Sequence, residues 1–172
     1  MDGNELRAMQ APIKEKYRND PAAAMITLKA KGSLDAPGIA CKVETGRQLS
    51  AAGLHPATGG SGLELCSGDM LLEALVACAG VTLKAVATAL AVDLKAATVR
   101  AEGDLDFRGT LGVDKGAAVG FEAIRLFFDL DTAADEATVA QLIKLTERYC
   151  VVFQTLKTSP ASTVTVQRMS LA

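Results

Sequence analysis

The sequence contains no tryptophan and a single histidine, and only 4% of its 172 residues are aromatic. It also lacks a surplus of either charge, since 18 lysine and arginine residues stand against 20 acidic ones and the net charge is −2. A chain this balanced has no basic surface of the kind that attracts nucleic acid or an anionic membrane. We therefore expect neither nucleic acid nor membrane among its partners.

The four cysteines form no Cys-x-x-Cys pair, and His55 is the only histidine. This spacing speaks against a dedicated zinc site, so we expect no metal and no cofactor. The first ten residues, MDGNELRAMQ, lack the apolar core of a signal peptide. Glu73 and Lys84 interrupt the longest apolar stretch, which disfavours a membrane span. These features predict a soluble, cytoplasmic protein whose cysteines stay reduced.

Hydrophobic residues make up 49% of the chain, and their spacing predicts its helices and strands. Residues 69–93 predict one long helix that is apolar on most sides and is therefore buried. Residues 4–18 predict an earlier helix, and alternation at 25–31 and 39–44 predicts a hairpin of two strands. Residues 49–66 predict a glycine-rich connection that leads into the long helix.

The part after the long helix predicts more strands and one further helix. We expect strands at residues 99–107, 121–130 and 163–167. The helix begins at a cap on Thr132, and its buried stripe extends from Val139 to Phe153. Helices and antiparallel strands in this order predict an α+β fold with an antiparallel sheet. Since no linker or repeat divides the chain, residues 1–172 are expected to form one domain.

Two cysteines fall on the buried faces of these helices. Cys78 shares a face with Leu75 and Thr82, and Cys150 belongs to the stripe of the later helix. One interpretation is a pair of small core residues, because cysteine is among the most buried residue types. The other is a two-thiol redox centre. In that case Cys78 attacks an oxidant as a thiolate, and Cys150 condenses with the resulting sulfenic acid to form a disulfide.

A reactive Cys78 requires help with ionisation. Burial raises the pKa of a thiol, and a helix dipole assists only at the helix ends. We therefore expect a cation near Cys78. Neither helix supplies it, because Arg148 points away from Cys150 while Glu147 shares its face, so the cation should come from another segment or another subunit. The candidates in or beside loops are Arg47, His55 and Arg108.

Two more cysteines and His55 leave alternatives open. Cys66 is a rival nucleophile because it stands at the start of the long helix, where Ser67 is the predicted N-cap. Cys41 is predicted to be a small strand residue. His55 either forms hydrogen bonds within its own loop or contacts a site.

Five stretches of sequence follow one another in a characteristic order: Gly59-Gly60, SGDMLLEALVACAGVTL, GDLDFRGTLGV, GFEAIRLFFDL and LTERYCVVFQTL. Together they resemble the OsmC/Ohr family of osmotically inducible and organic hydroperoxide resistance proteins. The resemblance covers residues 25–167. It implies an OsmC-like α+β fold built as an intertwined homodimer, with antiparallel sheets wrapped around long central helices. Residues 1–20 would then be a helical extension.

The same resemblance implies an activity, which is the thiol-dependent reduction of hydroperoxides, organic ones in preference. Cys78 stands at the family's peroxidatic position and Cys150 at its resolving position. The implied reductant is a dithiol such as a lipoylated protein.

The sequence departs from the family pattern at three places. The family carries Pro-Glu where this chain has Ser67-Gly68, followed by Asp69. The second cysteine is followed by Val151 instead of proline. The family arginine has no assigned match, although one branch places it in the segment around His55. An alternative function is therefore a dimeric binding module, in which the small residues 77–80 provide a hollow for an apolar ligand.

Overall fold

The structure contains the predicted early helix, hairpin, long helix, strand pair and later helix in that order, with further short strands and helices between them. The computed structural model describes residues 2–19, 31–33, 40–44, 49–112 and 114–168. Within these ranges the elements are α1 (Gly3–Asn19), β1 (Lys31–Ser33), β2 (Ala40–Glu44), β3 (Leu49–Gly53), β4 (Leu65–Cys66), α2 (Ser67–Leu90), β5 (Ala96–Leu105), α3 (Phe107–Thr110), β6 (Phe121–Asp131), α4 (Glu136–Tyr149) and α5 (Val151–Lys157).

Helix α2 has 24 residues and is in contact with α1, α4, α5, β4 and β5. It begins earlier than predicted because Cys66, with extended backbone, takes the N-cap position instead of Ser67. It ends at Leu90 because Ala91 adopts a left-handed conformation with φ 56°. One face of α2 is buried, and it consists of Leu75, Ala79, Leu83, Val86 and Ala87.

The opposite face of α2 is exposed in the single chain. Ala74, Ala77 and Val81 lie on it at helical spacing, and Val81 is 73% exposed. The burial predicted for most sides of the helix is thus reached on one side only. By length and hydropathy alone α2 could also cross a membrane, a test that the core helices of soluble proteins also pass.

Strands β5 and β6 form a long antiparallel pair that packs on α2. Their register extends from Ala96 opposite Asp131 to Leu105 opposite Phe121, with an irregularity at Asp104 and Leu105. The alternation predicted for both strands is confirmed. The half-buried residues of the inner face include Val99, Ala101, Ile124, Leu126 and Phe128. On the outer face, Arg125 forms ion pairs with Asp104 and Glu102.

The other sheet has the strand order β1-β2-β3-β4. Its first three strands are antiparallel neighbours, whereas the two-residue β4 lies parallel to β3. The hairpin of β1 and β2 was predicted, but β1 includes Gly32 and Ser33, where we expected the turn. Residues 25–30 lie outside the described part of the chain. The connection predicted at 49–66 contains β3 and β4. Its side chains alternate little, and it forms strands because β3 pairs with β2 and β4 pairs with β3.

The helix predicted to continue to Phe153 is in fact two helices, α4 and α5, which meet at Cys150. The stripe itself is confirmed, since Leu142, Thr146 and Cys150 are fully buried. The predicted cap at Thr132 is wrong. Asp135 takes that role, and its carboxylate accepts a 2.7 Å hydrogen bond from the N–H of Thr138.

The two ends of the chain complete the description. Helix α1 was predicted, and it continues through Pro12 and packs its buried Leu6 near α2. The strand predicted at 163–167 is wrong for the single chain, because residues 159–168 form no strand with any described residue. Val164 and Val166 are 92% and 81% exposed there.

Leu142 offers a test of this core, because its side chain is 0% exposed between α4 and α2. We expect Leu142→Ala to lower the free energy of unfolding by about 2–5 kcal/mol through lost burial and a cavity. Leu63→Ala, at a side chain that is 90% exposed, is the control and should change it by less than about 0.5 kcal/mol. Denaturant unfolding measures both, and equal effects would contradict this packing.

Candidate functional site

Cys78 and Cys150 meet inside the chain. Cys78 lies in the middle of α2, and Cys150 lies at the junction of α4 and α5. Both are free thiols, and they pack against each other in one apolar cluster. Cys150 is 1% exposed, whereas Cys78 is half-buried. The structure therefore brings together the two cysteines that the sequence singled out, with one sulfur still reachable from outside.

The walls around the two sulfurs are apolar. Strands β5 and β6 and helix α5 pack against this cluster through Val99, Ala101, Ile124, Leu126, Phe128, Val152, Phe153 and Leu156. Such walls exclude water, which strengthens every hydrogen bond that reaches the sulfurs. They also make an unassisted thiolate costly.

The junction at Cys150 provides the hydrogen-bond donors. Cys150 has extended backbone, φ −74° and ψ 105°, so it ends α4 and begins α5. The first N–H groups of a helix have no partner within it. Here the N–H groups of Val151 and Val152 lie near enough to Cys78 to lower the pKa of its thiol.

Gln154 bridges the junction. Its side-chain amide donates a 2.7 Å hydrogen bond to the backbone carbonyl of Glu147, the residue that we expected to share the face of Cys150. Its own N–H donates to the carbonyl of Cys150 at 2.9 Å. These two bonds link the last turn of α4 to the first turn of α5, so they hold the angle at which the N–H groups approach Cys78.

Burial raises the pKa of the Cys78 thiol, but four donors outweigh it. The N–H of Val152, the Cys150 thiol, the N–H of Val151 and the Thr82 hydroxyl lower the pKa below the ordinary value of a thiol. The pKa of Cys150 shifts the other way, because it is raised by burial and by contact with the ionised Cys78. The pair thus favours Cys78 as thiolate and Cys150 as thiol.

In the described part of the chain no arginine or lysine contributes to the lowered pKa of Cys78, and hydrogen-bond donors lower it instead. A cation from a second chain stays a prediction. Arg108 is engaged elsewhere, in surface ion pairs with Asp106 and Asp114. Arg47 lies outside the described residues. Glu147 contributes its carbonyl oxygen to the junction through the bond from Gln154.

His55, Cys66 and Asp69 line a different cavity, of about 370 Å³, at the start of α2. The His55 ring stacks on Phe107 with centroids 4.9 Å apart, and its Nδ1 accepts a 3.0 Å hydrogen bond from the N–H of Ala57. His55 therefore forms hydrogen bonds within its own loop, as one of the two alternatives had it. Cys66 stands twelve residues before Cys78, about 18 Å along a helix. Within one chain this cavity is separate from the thiol pair.

Three contributors to the site were missed in the sequence. Thr82 was placed on the face of Cys78, but only as packing. The N–H of Val151 was signalled by the absence of proline after Cys150, since proline would have no N–H to offer. Gln154 gave no signal in the sequence, because its hydrogen bond to Glu147 forms only where the helix is interrupted at Cys150.

The sequence model of the OsmC-like protein family matches residues 60–165, more than half of the chain. The chain belongs to the OsmC-like protein family. The matched range of this OsmC-like chain contains both Cys78 and Cys150, whereas helix α1 lies before it. No protein of curated function matches the sequence.

Solved structures confirm the OsmC-like α+β fold. An OsmC-like protein from Mycoplasma pneumoniae aligns with a TM-score of 0.64 at 16% identity, covering 78% of this chain and 89% of that chain. An organic hydroperoxide resistance protein from Elizabethkingia anophelis aligns with a TM-score of 0.62 at 15% identity, covering 78% and 91%. An organic hydroperoxide resistance protein OsmC from Legionella pneumophila gives 0.60 at 16% identity, covering 78% and 91%. At such identities the likeness establishes the fold.

The role of the Val151 N–H can be tested by Val151→Pro in this OsmC-like chain. Proline is tolerated at the first position of a helix, and the extended Cys150 before it is compatible with proline. Losing the donor should raise the pKa of Cys78 and slow its alkylation at pH 7 about threefold or more. The rate is measured as a function of pH, with the labelled peptide identified by mass spectrometry.

Val151→Ala keeps the N–H and is the matched control, so it should alkylate like the parent protein. Melting temperatures of the two variants verify that both are folded. Identical pH profiles for Val151→Pro and Val151→Ala would contradict the assignment of this N–H as a donor.

Proposed function

We propose that this OsmC-like protein is a cysteine peroxidase that reduces hydroperoxides, organic ones in preference, at the expense of a dithiol. The observation that carries the proposal is the contact between Cys78 and Cys150, in which the first sulfur is set up as thiolate and the second as thiol. This division of protonation states is what a nucleophile and its resolving partner require.

In the first step the Cys78 thiolate attacks the terminal oxygen of the hydroperoxide. An S–O bond forms and the O–O bond breaks, so Cys78 becomes a sulfenic acid and the remaining alkoxide takes up a proton and leaves as the alcohol. The donors that hold the thiolate are aimed at the reacting sulfur, so they also position it for attack.

In the second step the Cys150 sulfur attacks the sulfur of the sulfenic acid. The disulfide forms and the oxygen of the sulfenic acid leaves as water. One proton of this water comes from the sulfenic acid and the other from the Cys150 thiol. Because Cys78 and Cys150 already pack against each other, this step needs little movement of α4 or α5. The dithiol then reduces the disulfide by thiol–disulfide exchange and is itself oxidised to a disulfide, and a lipoylated protein fits this role.

The substrate class is supported by the relatives of similar fold, because two of the similar structures belong to organic hydroperoxide resistance proteins. The apolar walls around Cys78 suit an organic peroxide better than hydrogen peroxide, since an alkyl group gains free energy by leaving water. Thiols that take part in this cycle stay reduced only in a reducing compartment, so we propose that the protein is cytoplasmic.

We further propose that the protein acts as a homodimer. The small, apolar face of α2 at Ala74, Ala77 and Val81 is exposed in the single chain, and close approach of a second helix would cover it. The extended residues 159–168 expose Val164 and Val166, which suits pairing with a second copy.

The alternative is a dimeric binding module for an apolar ligand. It is favoured by the cavity of about 370 Å³ near His55, which Leu72, Phe107 and Phe121 line in part. Gly68, at the position of the family glutamate, also lies there. Turnover distinguishes the two functions, because a binding module retains its ligand without consuming peroxide.

The peroxidase proposal is tested by substituting the cysteines one at a time. With cumene hydroperoxide and dihydrolipoamide, Cys78→Ser should reduce peroxide consumption to background because the attacking sulfur is gone. Cys150→Ser should stop after one equivalent, with Cys78 found as sulfenic or overoxidised acid by mass spectrometry.

Cys66→Ser is the control and should consume peroxide like the parent protein, because Cys66 stands apart from the pair. Unchanged turnover in Cys78→Ser would reject the peroxidase. Binding of a fatty acyl probe by a parent protein that consumes no peroxide would establish the binding module instead.

The dimer is tested by light scattering on a size-exclusion column. The parent protein should elute at twice its chain mass of 17.8 kDa. Val81→Arg should shift it toward the monomer, because it puts a charge into the apolar face. Leu63→Arg, a substitution at an exposed position outside α2, should leave the dimer intact. A monomeric parent protein would overturn this part of the proposal.

A further inference from the structure

Thr82 lies one helical turn after Cys78, on the same face of α2. Its hydroxyl donates a 2.8 Å hydrogen bond to the backbone carbonyl oxygen of Cys78. Both residues are half-buried. The hydroxyl carries one proton and rotates about its C–O bond, so it can donate to only one acceptor at a time.

We propose that the Thr82 hydroxyl moves its hydrogen bond from the Cys78 carbonyl oxygen to the Cys78 sulfur when the thiol ionises, and thereby holds the attacking thiolate. Thr82 is then a positioning residue of the reaction, in addition to the two cysteines. The change stays within one turn of α2, because the carbonyl oxygen and the sulfur belong to the same residue.

The rotation leaves no polar group unsatisfied. In an α-helix the carbonyl of residue 78 already accepts the backbone N–H of residue 82, so the hydroxyl is a second donor to that oxygen. A thiolate, in contrast, gains a charge-assisted hydrogen bond, which is stronger than one to a neutral carbonyl. Thr82 lies one turn from Cys78 on the same face of α2, and a hydrogen bond from its hydroxyl to the sulfur would lower the pKa of Cys78.

The surroundings of Cys78 increase the effect of a hydrogen bond from Thr82 on the pKa of the thiol. In the described part of the chain, Cys150 is the titratable group that faces Cys78 from the packed elements. The strands and helix α5 contribute apolar side chains, which are Val99, Ala101, Ile124, Leu126, Phe128, Val152, Phe153 and Leu156. In the described part of the chain, no neighbouring charge replaces a donor that is lost from such a setting.

Thr88 supplies a matched control on the same helix. Its hydroxyl donates a 2.8 Å hydrogen bond to the carbonyl of Lys84, which is the same bond four residues back, but no cysteine lies one turn before it. Thr82→Val and Thr88→Val therefore remove the same helical bond, and only the first removes a donor near a sulfur. Thr82→Ser restores the hydroxyl.

The experiment measures the alkylation rate of Cys78 by iodoacetamide as a function of pH, with the labelled peptide identified by mass spectrometry. We expect Thr82→Val to slow alkylation about three- to tenfold at pH 7 and to converge with the parent protein at alkaline pH, where every thiol is ionised. Thr82→Ser and Thr88→Val should follow the parent profile. Thr82→Ala is a second variant in case the valine disturbs packing, and melting temperatures verify each fold.

The catalytic consequence rests on the proposed peroxidase function, whereas the ionisation of Cys78 is measured without peroxide. A rate constant for cumene hydroperoxide that falls in Thr82→Val by the same factor as alkylation at pH 7 supports both. A shifted alkylation profile in a protein that consumes no peroxide supports the role of Thr82 and rejects the peroxidase. Coincident profiles for Thr82→Val and Thr88→Val would overturn the inference.

Discussion

The site depends on one junction, the point at which α4 ends and α5 begins at Cys150. Extended backbone at this residue frees the N–H groups of Val151 and Val152, and both are directed at the Cys78 sulfur. A continuous helix would bind the same N–H groups to its own carbonyls and leave a buried thiol with no reason to ionise. The bond from Gln154 to Glu147 keeps the junction bent. The chemistry proposed for Cys78 therefore originates in backbone geometry.

Much of the fold was predictable because it follows from periodic burial. The alternation in β5 and β6 and the stripe of Leu142, Thr146 and Cys150 were read correctly, since each places apolar residues on one face. Strands β3 and β4 were missed, because they arise from pairing with neighbours and carry little alternation of their own. The strand expected at 163–167 has no partner among the residues that the structure describes, and a pattern of alternating residues cannot supply one.

The site was predictable only as a pair of cysteines. Their roles as thiolate and thiol follow from donors that are close in space and distant in sequence, such as Val152 for Cys78. We expected a cation near Cys78 because a helix that continued through Cys150 would have no free N–H to offer that thiol. The break at Cys150 makes such N–H groups available. The N–H at residue 151 was visible in the sequence, since Val151 stands where the family resemblance led us to expect proline.

The departures from the family pattern have a common physical explanation. Gly68 stands where the family glutamate is expected, so an arginine held by that glutamate would lose its support. Val151 adds a donor that proline lacks, and Thr82 adds a hydroxyl on the same face as Cys78. Neutral donors stabilise an anion with less desolvation than a buried guanidinium would suffer, because they bring no charge of their own out of water. A peroxidase built this way depends less on a cation, and its reactivity should be correspondingly insensitive to salt.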